Sequence, residues 1–179
     1  MLIGTKADSR LWNEYIQRYH YLGHKPLPGA QLRTSSSLPV GSWLLSVSAQ
    51  LPGRQPLETV SSAGPQEQRK RNLPLIVNNA RFLILPWIRS HNLASMILAK
   101  VAKTLPDHWW SVYNVRPVLM ETFVEKPRFQ GTCYHAANWI HLGETKGRGK
   151  LGPHGILGVP VKDIWIYPMN QNFKMLLCQ

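Results

Sequence analysis

Within one short stretch of this chain the sequence gathers an acid, a thiol, a phenol and a carboxamide: Glu121, Cys133, Tyr134 and Asn138. Glu121 lies in the apolar run Pro117–Val124, where desolvation raises a carboxyl pKa toward the range useful to a general base or acid. The same burial suits a purely structural carboxylate, held by Arg81 or Arg128. Tyr134, at an expected helix start, can give a proton to a leaving group or stack on a base, and it can equally fill a core. Cys133 beside it is a candidate nucleophile if its thiolate is favoured, and otherwise an inert filler. Asn138 can present its amide to an adenine edge or a substrate carbonyl, or simply cap the strand entry at Trp139. His20, with His24 nearby, adds a titratable imidazole or a cap on helix-terminal carbonyls. The catalytic candidates are therefore Glu121, Tyr134, Cys133, Asn138 and His20.

A second group suits anions. Lys146, Arg148 and Lys150 alternate with Gly147, Gly149 and Gly152 in a loop that can follow phosphates with backbone and side chains together, or be no more than a solvated surface loop. Arg33, Arg81 and Arg128 supply further cations, and Trp139, with Tyr21 and Tyr134, a face for stacking. The chain carries 21 Lys and Arg against nine Asp and Glu, a net charge of +12 distributed along its length. A field of that sign draws polyanions, of which nucleic acid is the commonest in a cytoplasm. His20, His135, His141 and Cys133 have no ligand spacing, so no metal site is assigned, and no carboxylate cluster suits a nuclease.

These groups need a scaffold. At 179 residues, 44% hydrophobic and with seven tryptophans, the chain fits one folded domain over 1–179. Cys133 and Cys178 form no CxxC pair, which fits a reducing compartment, and no apolar run is long enough to span a membrane. A soluble cytoplasmic protein is expected.

Apolar positions from Leu11 to Tyr19 predict a helix capped at Ser9 and ending near Gly23. A hairpin is expected from 29–34 and 42–49 with its turn at 38–41, then an irregular, mobile region within 35–66 and a short charged helix at 66–71. Ala80–Pro86 reads as a buried central strand and Leu93–Leu105 as a helix capped by Asn92 and stopped by Pro106, with a tryptophan-bearing turn after it. Strands at 118–124, 139–144 and 163–167 and a helix at 132–138 complete an α/β fold: a mixed sheet with helical crossovers, its 80–86 and 118–124 strands parallel.

The motifs Tyr19-His-Tyr-Leu-Gly23, Pro28-Gly-Ala-Gln-Leu-Arg33, Val77–Trp87, Asn92-Leu-Ala-Ser95, Glu121-Thr-Phe-Val124 and Gly131–Trp139 resemble the Druantia anti-phage DruA family. Residues 35–66 depart from it: Gly53-Arg-Gln-Pro-Leu57 stands where the family has an Arg-Asp pair and a Trp-Ile-Gly-Trp run. The resemblance implies a bacterial defence component with possible partner subunits. The element order is also similar to Gcn5-related N-acetyltransferases, though the loop Ile88–Leu93 lacks the glycines on which that fold seats an acyl-CoA pyrophosphate. No cofactor is assigned. The expected function is nucleic-acid binding through a basic cleft, the alternative an acetyltransferase-like enzyme acting on nucleic acid or a small molecule; whether the chain is catalytic stays open.

Overall fold

The computed structural model describes residues 2–27, 29–35, 72–147 and 160–178, and the backbone of 43–49. The expected hairpin turn, the irregular region from 36 onward, the charged helix 66–71, and Arg148 and Lys150 of the glycine loop lie outside the described residues.

Among the described residues six strands form one mixed sheet in the order β1-β2-β3-β4-β6-β5. They are β1 (Gln31–Ser35), β2 (Trp43–Ala49), β3 (Ile76–Ile84), β4 (Leu119–Glu125), β5 (Ile140–Glu144) and β6 (Lys162–Pro168). The helices are α1 (Lys6–Tyr19), α2 (Leu93–Tyr113), α3 (Thr132–Ala136) and α4 (Phe173–Cys178). Only β3 and β4 run parallel, joined by α2; the other neighbours are antiparallel. The expected parallel crossover is present, in a different register: pairing involves Ile76–Asn78 against Leu119–Glu121, upstream of the expected 80–86 segment, and ends there. Pro74 confines residues 73–75 to a single 3-10 turn, after which one uninterrupted strand runs to Ile84.

The side chains of β3 reveal a change of face. Strict alternation would send Val77 and Phe82 to opposite sides of the sheet, yet both pack in the cluster built on Ile97, Val101, Leu105 and Trp109 of α2. Between them Ala80 is skipped by β2, since Ser46 pairs with Arg81 and Val47 with Asn79. This β-bulge resets the alternation. Asn79 therefore faces α2, while Arg81 shares the opposite face with Leu83 and Leu85, which pack on Trp12 and Ile16 of α1. On β4, Met120, Thr122 and Val124 face α2, and Leu119 and Glu121 the other side, where Leu119 packs with α4.

Two expected boundaries shift. The first helix starts at Lys6, capped by Thr5, whose hydroxyl accepts from the Asp8 N–H, rather than at Ser9. The second helix does not stop at Pro106 but continues for two turns. The missing N–H and ring clash of an internal proline cost about 3 kcal/mol, and tertiary packing offsets that. Leu105 and Trp109 are both almost fully buried one turn apart, and the Tyr113 hydroxyl donates to the Gln31 carbonyl at 2.6 Å and accepts from its N–H at 2.9 Å. The expected tryptophan-bearing turn is thus helix, and the true stop is Asn114, left-handed at φ 53°.

Gly131 leads into α3 at φ +70°, and a Cβ there would sit 2.9 Å from the Trp165 ring. Gly131→Ala is expected to destabilise the fold by about 2–4 kcal/mol through overpacking and backbone strain, whereas Gly4→Ala, with open space around it, should change little. Denaturant midpoints at constant m-value check both.

Candidate anion-binding surface and strand fork

After α1 the chain turns tightly: the Gly23 N–H donates to the His20 carbonyl at 2.8 Å, with Gly23 at φ +59°. That turn lies against the face of β3 to which the bulge delivers Arg81. Arg81, 9% exposed as a residue, donates through its guanidinium to the Gly23 carbonyl at 3.4 Å and to the Ala80 carbonyl at 2.7 Å. On β1, Arg33 donates to Ser9 Oγ at 3.1 Å and Asn13 Oδ1 at 2.9 Å, with its Cζ 4.7 Å over the Trp12 ring. Beyond β4, Arg128 pairs with Glu125 at 2.9 Å and lies 5.3 Å over the Tyr21 ring, which in turn packs against the half-exposed Phe129. Arg33, Arg81 and Arg128 thus form a row along one side of the sheet, interleaved with Trp12, His24 and Tyr21.

The electrostatics mark Arg81 as the middle of the row. Burial, and then the charge of Arg81, lower the His20 pKa to about 4. Burial followed by Arg33 and Arg81 lowers that of His24. Burial and Glu125 raise that of Tyr21, against Arg81 and Arg128. Both arginines at the inner end are themselves pushed down by burial. The salt bridges among the described residues involve Arg18, Arg116, Lys126, Arg128 and His141, and neither Arg33 nor Arg81 takes part in one.

The opposite face holds a fork where β3 and β4 part. There the Thr122 hydroxyl donates to the Asn79 carbonyl at 3.1 Å, and Asn79 Nδ2 donates to the Tyr134 hydroxyl at 3.3 Å. Tyr134 is buried against Trp139 and Trp165, and that burial raises its pKa, so the phenol stays protonated. Cys133 moves the same way: burial raises its pKa, opposite to the lowered value a nucleophilic thiolate needs.

The structure therefore divides the expected set. Glu121, 2% exposed, shares the face of Arg81, while Tyr134 lies across the sheet, so acid, phenol and guanidinium do not meet in one cleft. Arg128 pairs with Glu125, and the side-chain hydrogen bonds of Arg81 go to the Gly23 and Ala80 carbonyls. Trp139 is 4% exposed and packed edge-on against Tyr134 at 5.1 Å, so no base can lie on its ring in this conformation. Asn138 is exposed and left-handed at φ 60°, a backbone state asparagine tolerates, where its N–H donates to the His135 carbonyl and closes α3. His20 accepts the Leu22 N–H on Nδ1 at 3.2 Å. Lys146 is exposed beyond β5, at the sheet edge opposite β1. Trp12, Phe129, Asn79 and Thr122 escaped the sequence reading; the polar pair Asn78-Asn79 inside an apolar strand was the visible signal.

Fold and site define an α/β protein with an arginine row on one face of a mixed sheet and a tyrosine-filled fork on the other. The chain matches the family model described as Druantia protein DruA over residues 2–158. It belongs to that family, and is a component of Druantia anti-phage defence, a setting that suggests further subunits. No curated protein matches the chain. Among the described residues no helix is long and apolar enough to cross a membrane.

The His20 shift has a defined sign. Its folded pKa is depressed, so the unfolded chain binds the extra proton between about pH 6.5 and 4, and folding stability falls as pH drops through that window. The wild type should lose about 1–2 kcal/mol more than His20→Gln across it, a figure discounted for the ring's partial exposure. Denaturant titrations of both proteins at pH 7 and pH 4 check the difference.

Proposed function

We propose that this defence component binds nucleic acid along the row Arg33, Arg81 and Arg128, with Tyr21 and Phe129 contacting bases. The carrying observation is that Arg33 and Arg81 are desolvated without a carboxylate partner among the described residues. Cations so placed are costly unless an anion completes them, and their spacing with aromatic rings suits a phosphate backbone with adjacent bases. Trp139 drops out of the binding set, Lys146 lies at the sheet edge opposite β1, and Arg148 and Lys150 lie outside the described residues.

Binding should weaken linearly on a log–log plot against salt. Arg128→Ala, at an exposed position, is expected to reduce that slope by about one. Arg116→Ala, whose partner is Asp107 at the far end of α2, should leave it unchanged. Fluorescence anisotropy with single- and double-stranded oligonucleotides reads this; salt-insensitive binding, or a slope unaltered in Arg128→Ala, overturns the reading.

A second reading, an acetyltransferase-like enzyme, is supported by the parting of β3 from β4 after three paired residues, the bulge at Ala80 and the strand order. In it the protonated Tyr134 acts as acid at the fork, while Glu121, on the opposite face, does not reach the same substrate. Against it, the loop after β3 has no glycine and Asn92 makes no side-chain cap. If the reading holds, acetyl-CoA incubated with protein and oligonucleotide should release free thiol, and Tyr134→Phe should abolish that release while oligonucleotide binding persists; absence of thiol release from the wild type removes it.

A further inference from the structure

The chain leaving α1 carries two aromatic contacts, one on each side of His20 in the sequence. Tyr19 meets Trp87 with ring centroids 5.3 Å apart and planes at 86°, and Tyr15, one turn earlier in α1, lies 6.4 Å from the same indole. Two residues after Tyr19, Tyr21 packs on Phe129 at 5.3 Å. Trp87 follows the end of β3 and Phe129 the end of β4. Because these two strands run parallel, both rings stand at the same end of the sheet. The segment from Tyr19 to Gly23 therefore bridges the carboxyl ends of two strands that part after Asn78 and Glu121, the position at which open α/β sheets hold ligands.

These rings are open to solvent: Trp87 is 56% exposed, Phe129 47% and Tyr19 40%. The near-perpendicular contact keeps Tyr19 and Trp87 from covering each other face to face. One exposed ring is ordinary, but three at one end of a sheet, set among cations, form a surface of defined chemistry. The acids beside them are already paired, Glu14 with Arg18 and Glu125 with Arg128. Arg89, exposed two residues beyond Trp87, takes part in no salt bridge among the described residues. We infer that Tyr19 and Trp87 extend the arginine row into a stacking surface for unpaired bases, so that the nucleic acid bound is single-stranded. A duplex keeps its base faces inside the stack, whereas a single strand turns them outward onto aromatic side chains. Every base has such a face, so the surface takes a strand of any sequence. The inference rests on the nucleic-acid reading and names the substrate class of the same site.

The test measures, by anisotropy over a range of salt, the affinity of the wild type, Trp87→Ala, Trp87→Phe and Arg128→Ala for a mixed-sequence single strand and for the same sequence as a blunt duplex. The wild type should prefer the single strand by about tenfold or more, the size of one base–aromatic stack. Trp87→Ala should erase most of that preference while leaving the slope against salt as in the wild type, because a stacking contact displaces no counterion. Trp87→Phe, which keeps a ring, should retain most of it, and denaturant midpoints of both variants show that the fold persists. Equal wild-type affinity for strand and duplex, with normal salt dependence and no effect of Trp87→Ala, overturns the stacking surface and leaves the arginine row. Salt-insensitive binding of the single strand that falls in Trp87→Ala but not in Arg128→Ala overturns the row and leaves the stacking surface. Self-association of the wild type in sedimentation velocity that Trp87→Ala abolishes, with oligonucleotide binding unchanged, assigns these rings to a protein contact and overturns the inference.

Discussion

One skipped residue organises both faces of this protein. Because Ala80 has no partner on β2, the alternation of β3 changes sign between Asn79 and Arg81. Without that bulge Arg81 would point at Ile97, Val101 and Leu105, and a guanidinium there would be an unpaired charge in an apolar core, a placement costing several kcal/mol. With it, Arg81 emerges against the turn after α1, where the Gly23 carbonyl receives it. The same irregularity coincides with the end of parallel pairing to β4. Beyond it the backbone groups of the two strands no longer satisfy one another, and Thr122, Asn79 and Tyr134 supply side-chain bonds instead.

The surplus of positive charge acquires meaning only when sorted by partner. Arg18, Arg116 and Lys126 are neutralised by Glu14, Asp107 and Glu144 at exposed positions, where ion pairs contribute little and salt screens them. Arg128 is intermediate, since Glu125 holds it while its guanidinium stays over Tyr21. Arg33 and Arg81 are different in kind: withdrawn from water, oriented by neutral groups, and beside histidines whose protonation is disfavoured by burial and then by these charges. A net charge of +12 favours polyanions near the surface in general; the proposed function places the contact at the two desolvated arginines.

The periodicities of 2 and 3.6 carried much of the architecture, because α1 and α2 each bury one stripe and β1 alternates, whereas β4 and β6 are buried on both faces and β5 is largely exposed. Pro106 misled for a physical reason: propensity is local, whereas Trp109 and Tyr113 stabilise the extra turns through contacts with distant β1. The site was less legible. Arg33, Arg81 and Arg128 are recognisable as cations in the sequence, but their alignment depends on a bulge that no residue type announces. Assigning Glu121 and Tyr134 to one cleft assumed that residues near one strand end share a side; strand parity separates them. Trp139 failed differently, since an aromatic ring available for stacking and one filling a core have the same sequence signature. Arg148 and Lys150 fall outside the described residues, so the glycine loop keeps only the reading its composition supports.

The two ends of the arginine row are chemically unequal, and that inequality gives it a direction. At one end Arg128, Tyr21 and the exposed Phe129 offer a guanidinium beside open aromatic faces, suited to groups that come and go. At the other, Arg33 and Arg81 are fixed by Ser9, Asn13 and backbone carbonyls, with the buried Trp12 ring beneath Arg33. The bulge at Ala80 sets Arg81 between these two ends, so one irregularity of β3 determines where the fixed and the open halves of the row meet.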